Sequence, residues 1–167
     1  SSAASDVYKR QPDGRTALEK GDVDAWAGLD PHMAASEIQA GSRLLYRNKD
    51  FNSYGVISVT EQYAKQHPQT ITKVLGAYEK ARDWAVKHPD EFAKLLADEA
   101  GLPLEVAKLQ LSRTDLSNPL LSARDVASSK AAAPILVSEE LVRRGVDVDP
   151  VIDQLIDTSF GQTLPKP

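Results

Sequence analysis

The distribution of strand-like and helix-like segments constrains the fold of this chain more than any other feature. Three short segments have strand character, at residues 23–30, 42–46 and 54–59, and helix-like patterns occupy most of the chain from residue 68 onward. Most sheets contain more strands than this, so three short strands cannot form a sheet large enough to be covered by so many helices. We therefore expect the missing strands to come from sequence upstream.

The first of these segments, residues 23–30 (VDAWAGLD), alternates with a period of two. One face carries small apolar side chains, and the other carries Trp26, Gly28 and Asp30. Asp30 is followed by Pro31, which is typical of an N-cap followed by the first residue of a helix. A strand followed by a cap and a helix predicts the α/β class.

The segments after residue 68 have helical periodicity. The apolar face of the first helix is expected to contain Ile71, Val74, Leu75, Tyr78, Ala81, Trp84 and Ala85. Helix boundaries are expected at His88–Pro89, Gly101, Pro103 and Asp149–Pro150. Earlier in the chain, a helix is expected to end at Gly41, and Thr60 is expected to cap the next helical turn. Residues 122–144 also look helical, and we expect Pro134 to kink or divide that helix because proline removes a backbone hydrogen bond.

Composition excludes several functions. The chain has 167 residues, 41% of them hydrophobic, and a formal net charge of -4 with scattered basic residues, which argues against a nucleic-acid partner. It has no cysteine, and His32, His67 and His88 lack the spacing of metal ligands, so neither a metal site nor a cofactor is expected. Phosphate-binding and nucleophile motifs are also missing, so we expect a protein that is not an enzyme.

Residues 1–11 (SSAASDVYKRQ) lack periodicity and helix caps, and we interpret them as a non-native tail, with a natural flexible tail as the alternative. No run approaches the roughly 20 apolar residues that cross a bilayer, and no signal sequence opens the chain. The chain is then either cytosolic or lacks its true N-terminus, and we favour the second interpretation.

Two runs of sequence resemble a known family. GDVDAWAGLDP at residues 21–31 and FNSYGVISVTEQYAKQHPQTITKVLGAYEKARDWAVKHPDE at residues 51–91 are similar, in order and spacing, to the nitrate, taurine and aliphatic sulfonate family of periplasmic binding proteins. The resemblance runs from about Asp13 to Phe160. It implies the C-terminal part of a two-lobe type II periplasmic binding protein fold, helix-rich with a few short strands, whose lobes close on a solute.

The resemblance also implies a domain organisation and partners. Residues 12–31 would be the remnant of the second lobe, ending at the crossing strand, residues 32–160 would return to the first lobe with its C-terminal helices, and residues 161–167 would be a loose tail. The protein would be a monomeric, periplasmic or membrane-tethered component of an ABC importer. It would capture a sulfonate, taurine or nitrate-like anion and deliver it to a permease of the inner membrane.

Candidate solute-binding residues follow from position, because ligands of open α/β sheets lie beyond the carboxyl ends of the strands. Trp26 could wall the cleft against an alkyl group, or could instead be a core residue. Asp30 could accept a hydrogen bond from the solute, or could cap the next helix. An Asp30 that touched the solute would favour an amino-bearing or neutral compound, and Gly28 and Leu29 depart from the bulkier and aromatic residues of many sulfonate-type relatives.

Tyr54 is the fourth candidate, since the resemblance places it near the mouth of the cleft, although packing is the alternative. Two other functional classes stay open. One is a two-lobe protein of the kind that makes the thiamine pyrimidine, which would need a reactive histidine or cysteine in the cleft. The other is a stand-alone helical interaction module, which would fold cooperatively without further sequence.

Overall fold

The computed structural model describes residues 11–48, 55–117, 120–143 and 145–164. Helices dominate these ranges, and no β-strand occurs in them. The α-helices are α1 (Gln11–Lys20), α2 (His32–Ala40), α3 (Glu61–Gln66), α4 (Pro68–Lys87), α5 (Pro89–Ala100), α6 (Leu104–Ser112), α7 (Ala123–Ser138) and α8 (Val148–Leu155), and a 3₁₀ helix follows at Phe160–Thr163.

Glycine ends two of the helices by adopting a left-handed backbone. Gly41 follows α2 with φ of 70° and donates its N–H to the carbonyl of Ser36, and Gly101 follows α5 with φ of 62°. This conformation carries little steric cost without a Cβ, so glycine is the usual residue after a helix. The predicted helix ends at these two positions are confirmed.

Most predicted helix starts are also confirmed. Thr60 accepts a hydrogen bond from the N–H of Tyr63 and so caps α3, while His88 precedes α5 and its first residue, Pro89. Ser122 and Asp125 form a reciprocal capping box at α7. The last helix begins two residues earlier than predicted, because Asp147 rather than Asp149 is its N-cap.

Of the two outcomes expected at Pro134, division of the seventh helix is not observed, and a kink stays a prediction. Helix α7 continues through Pro134 and ends at Ser138. A proline removes only one backbone hydrogen bond from a helix, and the capping box at the other end of α7 satisfies amides that would otherwise lack partners. The predicted C-terminal end of this helix, at residue 144, is wrong, because α7 ends at Ser138.

The short strands expected at residues 23–30 and 42–46, and at the described part of 54–59, are not observed. A strand requires a neighbour to pair with its backbone N–H and C=O groups, and the described residues supply none. Around residue 29, for example, the backbone N–H of Leu29 donates to the side chain of Gln11 instead. The helix-rich character of the predicted fold is therefore confirmed over the described residues, whereas the few short strands are replaced there by irregular segments and the type II fold stays a prediction.

The described residues form two compact units. Residues 11–47 and 85–116 form the first unit, in which α2 packs against α1 and α6, and α6 also packs against α5. The other described residues form the second unit, in which α7 packs against α8. These units arise from contacts within this chain, whereas the predicted lobes belong to a longer protein, so the lobe assignment stays a prediction.

The core of the first unit contains small side chains. Ala34 and Ala35 of α2 are buried against Val106 of α6, and Leu102 and Leu109 pack around them. Alanines on facing helices let the backbones approach closely, so that α6 is held firmly against α2.

Among the described residues, no helix combines the length and the apolar character needed to cross a bilayer.

In the second unit, Arg82 holds the pKa of Glu79 below its ordinary value by donating two hydrogen bonds, of 2.7 and 2.6 Å, to the carboxylate. Since the pKa is lowered on folding, Glu79 stabilises the fold above the ordinary pKa of about 4.5, and this contribution is lost as the pH falls through the lowered pKa. We expect Glu79→Gln to lose less stability than the parent chain between neutral and acidic pH.

Unfolding in urea at a series of pH values measures this difference. The matched control is Glu61→Gln on α3, because the Glu61–Lys65 pair is largely exposed and its removal should change stability little. Identical pH dependence in Glu79→Gln and the parent chain would show that the Glu79–Arg82 pair contributes nothing.

Candidate functional site

Asp30 lies immediately before α2, where its carboxylate has two neighbours. Its Oδ1 accepts a hydrogen bond of 3.0 Å from the backbone N–H of Ala34, and the same oxygen lies 3.7 Å from Nη1 of Arg113. The first contact satisfies an amide in the first turn of α2, so Asp30 does cap that turn, although Pro31 occupies the N-cap position and the helix begins at His32 rather than at Pro31 as predicted. The second contact places a positive charge beside the carboxylate.

Arg113 follows the last residue of α6 and was not singled out in the sequence. Its Nη2 donates a hydrogen bond of 2.7 Å to Oε2 of Glu37 in α2, and its backbone carbonyl accepts one of 2.7 Å from Arg47. Only 13% of the Arg113 side chain is exposed, against 19% for Asp30 and 23% for Glu37. The hydrogen bond from Arg113 to Glu37 raises the pKa of Arg113, with further contributions from the charges of Glu37 and Asp30.

We call Asp30, Glu37, Gln110 and Arg113 the Arg113 cluster. Among the described residues it contains three buried atoms without a hydrogen-bond partner, namely Oε1 of Glu37, Oε1 of Gln110 and Nη1 of Arg113. Buried polar atoms are nearly always paired in folded proteins. The cluster thus retains hydrogen-bonding capacity, and its two carboxylates outnumber its one guanidinium.

Trp26 lies against two glycines. A Cβ added to Gly14 in α1 would lie 2.3 Å from Nε1 of the indole, and a Cβ added to Gly28 would lie 2.5 Å from Cη2. The indole therefore packs directly on the backbone of α1 and of the segment that follows Trp26. Gly14 is buried, whereas Trp26 is half-buried and so keeps some solvent-accessible surface.

The four predicted site residues do not share one environment in the structure. Trp26 and Gly28 are in close contact, whereas Asp30 is engaged by Ala34 and Arg113. Tyr54 lies outside the described residues. None of these contacts tests solute binding, so the assignment of Trp26, Gly28, Asp30 and Tyr54 as a solute site stays a prediction.

In the described part of the chain, no three acidic or histidine side chains are arranged to hold a metal ion.

Comparison with known proteins gives two similar relatives. The chain is 28% identical over 150 residues to a protein of Bacillus subtilis (strain 168) and 29% identical over 144 residues to one of Escherichia coli (strain K12), each provisionally named an aliphatic sulfonates-binding protein. These matches cover 88% and 85% of this chain but only 45% of each relative, so the chain spans about half the length of these relatives. No solved structure matches significantly.

A family model also matches residues 7–92, which is slightly more than half of the chain. The described part of this stretch includes α1, α2 and the segment between them that carries Trp26, Gly28 and Asp30. The matched stretch agrees with the resemblance found in the sequence. The chain belongs to the NMT1/THI5 like family.

Proposed function

We propose that this chain is part of a solute-binding protein that captures a small solute, such as an aliphatic sulfonate, taurine or a nitrate-like anion, and delivers it to an ABC permease. The longer protein acts outside the cytoplasm, in the periplasm or tethered to the membrane, as a monomer. It binds its solute without changing it chemically.

One observation carries this proposal. The similarity to two proteins named for binding aliphatic sulfonates extends over 88% and 85% of the chain, well beyond the segment that contains the candidate site. A short shared motif could arise independently, but a match along nearly the whole chain indicates common ancestry. Since the chain spans about half of these relatives, it contributes part of the binding cleft.

The surroundings of Asp30 bear on which part of the site an anionic solute could contact. An unpaired carboxylate in the cleft would repel a sulfonate and favour an amino-bearing compound. In the structure, Oδ1 of Asp30 accepts a backbone hydrogen bond and lies beside the guanidinium of Arg113. Arg113 also pairs with Glu37, so the cluster keeps one net negative charge, and we propose that an anionic solute does not contact Asp30 directly.

Trp26 is the residue we propose to contact the alkyl part of the solute. One part of its indole packs on Gly14 and Gly28, which fixes the ring in place. Its remaining accessible part then offers an apolar surface that is already positioned, so that little entropy is lost when a solute binds.

The test is a chimera in which this chain replaces the matching part of the Bacillus subtilis relative. Isothermal titration with ethanesulfonate, taurine and nitrate should show binding of at least one solute. The variant Trp26→Ala should weaken that binding by about fivefold, since one aromatic contact is worth roughly 1 kcal/mol.

A cooperative thermal transition, measured before titration, establishes that the chimera is folded. A folded chimera that binds none of the three solutes would contradict the proposed function. If the chimera binds a solute but Trp26→Ala binds it equally well, then Trp26 serves packing alone and the solute contacts lie elsewhere.

A further inference from the structure

Arg113 reaches the candidate solute-binding segment, residues 23–30, from a distant part of the sequence. Its Nη1 lies 3.7 Å from Oδ1 of Asp30, the last residue of that segment. Two hydrogen bonds of 2.7 Å hold Arg113 in this place, one from its Nη2 to Glu37 and one from Arg47 to its backbone carbonyl. Arg113 thus brings a fixed positive charge to one end of the candidate segment.

The charges of this cluster are poorly screened. The side chains of Asp30, Glu37 and Arg113 are all mostly buried, and solvent and salt screen such charges less than exposed ones. Nη1 of Arg113 and Oε1 of Glu37 have no hydrogen-bond partner among the described residues, so no further polar group bonds to them there. The side chain of Arg47 is exposed, so its charge acts more weakly.

We propose that Arg113 is a specificity-determining residue of the solute site. It lowers the negative charge at the end of the segment that carries Trp26, and so permits a solute that has a sulfonate but no amino group. Nη1 of Arg113 is buried, so Arg113 acts on the solute through Asp30 and through its charge rather than by contact. This inference rests on the proposed function, because it concerns the same site.

Two solutes of nearly equal size separate a charge effect from a packing effect. Taurine and 1-propanesulfonate differ in one group, an ammonium against a methyl, so that taurine has no net charge and propanesulfonate carries one negative charge. Loosening of the site should weaken both alike. A unit charge about 10 Å away, at the effective dielectric constant near a protein surface, changes the affinity for a charged solute by about tenfold and for a neutral one by less.

The experiment is isothermal titration of both solutes, at low ionic strength, into the chimera described above. Arg113→Met should lower the affinity for propanesulfonate relative to taurine by about tenfold, because the cluster loses its one positive charge. Glu37→Gln should raise that ratio by a similar factor, because the cluster loses one negative charge. An increase cannot come from unfolding, so Glu37→Gln tests the proposal even if Arg113→Met does not fold.

Two control variants check the role of charge. Arg113→Lys keeps the positive charge but lacks the planar guanidinium, so it should retain the parent ratio even if it weakens both solutes. Lys108→Met removes the same charge from an exposed ion pair in α6 and should leave the ratio unchanged.

Two results would overturn the proposal while the parent chimera binds its solutes. One is the parent ratio in both Arg113→Met and Glu37→Gln. The other is a ratio in Arg113→Lys that shifts as far as in Arg113→Met, which would show that the shape of the guanidinium matters and its charge does not. Failure of the proposed function is a different result, namely a folded parent chimera that binds no solute, and it would overturn this inference as well.

Discussion

Replacing Arg113 with methionine should lower the free energy of unfolding by about 3 kcal/mol, which is typical when one partner of a buried ion pair is removed. The variant leaves the carboxylate of Glu37 mostly buried without its 2.7 Å hydrogen bond, and it removes the only cation of the Arg113 cluster from beside Asp30. Methionine retains an unbranched apolar stem, so the loss reports mainly on charge and hydrogen bonding.

Urea unfolding followed by circular dichroism measures the change. Lys108→Met in α6, the helix that ends just before Arg113, provides a matched control, because the Lys108–Asp90 pair is exposed, with 52% and 88% of the two side chains accessible. We expect this control to change stability by less than about 1 kcal/mol. Equal effects of the two variants would show that the Arg113 cluster is no more important than a surface ion pair.

A double variant separates an unpaired charge from a loss of packing. Arg113→Met combined with Glu37→Met should regain part of the lost stability, since it removes the uncompensated charge. A double variant as unstable as Arg113→Met alone would indicate a packing effect.

The helices could be predicted from the sequence because their signals are local. Pro89 and Gly101 define the two ends of α5, and Thr60 caps α3, through interactions that reach only a few residues along the chain. The errors occur where local signals compete. Asp147 and Asp149 are both good caps, for instance, and the structure uses the earlier one.

The strands and the Arg113 cluster could not be predicted in the same way. Strand character in residues 55–59 is a property of the side chains, but a strand exists only with a partner, which the described residues lack. Similarly, Asp30 and Glu37 are seven residues apart, so they can share one side of a helical segment, but no local pattern indicates that Arg113 lies opposite them. Asp30 was therefore considered as a cap or a solute contact, and its ion pair was missed.

The contact between Trp26 and α1 was missed for a related reason. Gly14 lies inside α1 and neither begins nor ends the helix, so no local helix signal explains a glycine at this position. A glycine in a helix interior destabilises it by roughly 0.5–1 kcal/mol relative to alanine, which suggests a compensating role. That role is visible only once the indole of Trp26 is placed on the Gly14 backbone.

Gly14→Ala and Gly76→Ala should therefore change stability in opposite directions, although both glycines lie inside helices. A Cβ on Gly76 in α4 would meet no atom within 4 Å, so alanine there should stabilise the chain by about 0.5–1 kcal/mol through helix propensity. A Cβ on Gly14 would lie 2.3 Å from the indole nitrogen of Trp26, and this overlap should cost about 1–3 kcal/mol, more than the gain in propensity.

Tryptophan fluorescence shows whether the indole of Trp26 leaves the α1 backbone in Gly14→Ala. The chain has two tryptophans, so a Trp84→Phe background leaves Trp26 as the single reporter. In that background Gly14→Ala should shift the emission of Trp26 toward that of an exposed indole, because the ring must leave the α1 backbone to make room for the methyl group. Gly76→Ala should leave the emission unchanged. If Gly14→Ala stabilises the chain as Gly76→Ala does, with no change in emission, then Trp26 does not pack on α1, and the glycine at position 14 has no part in holding the indole.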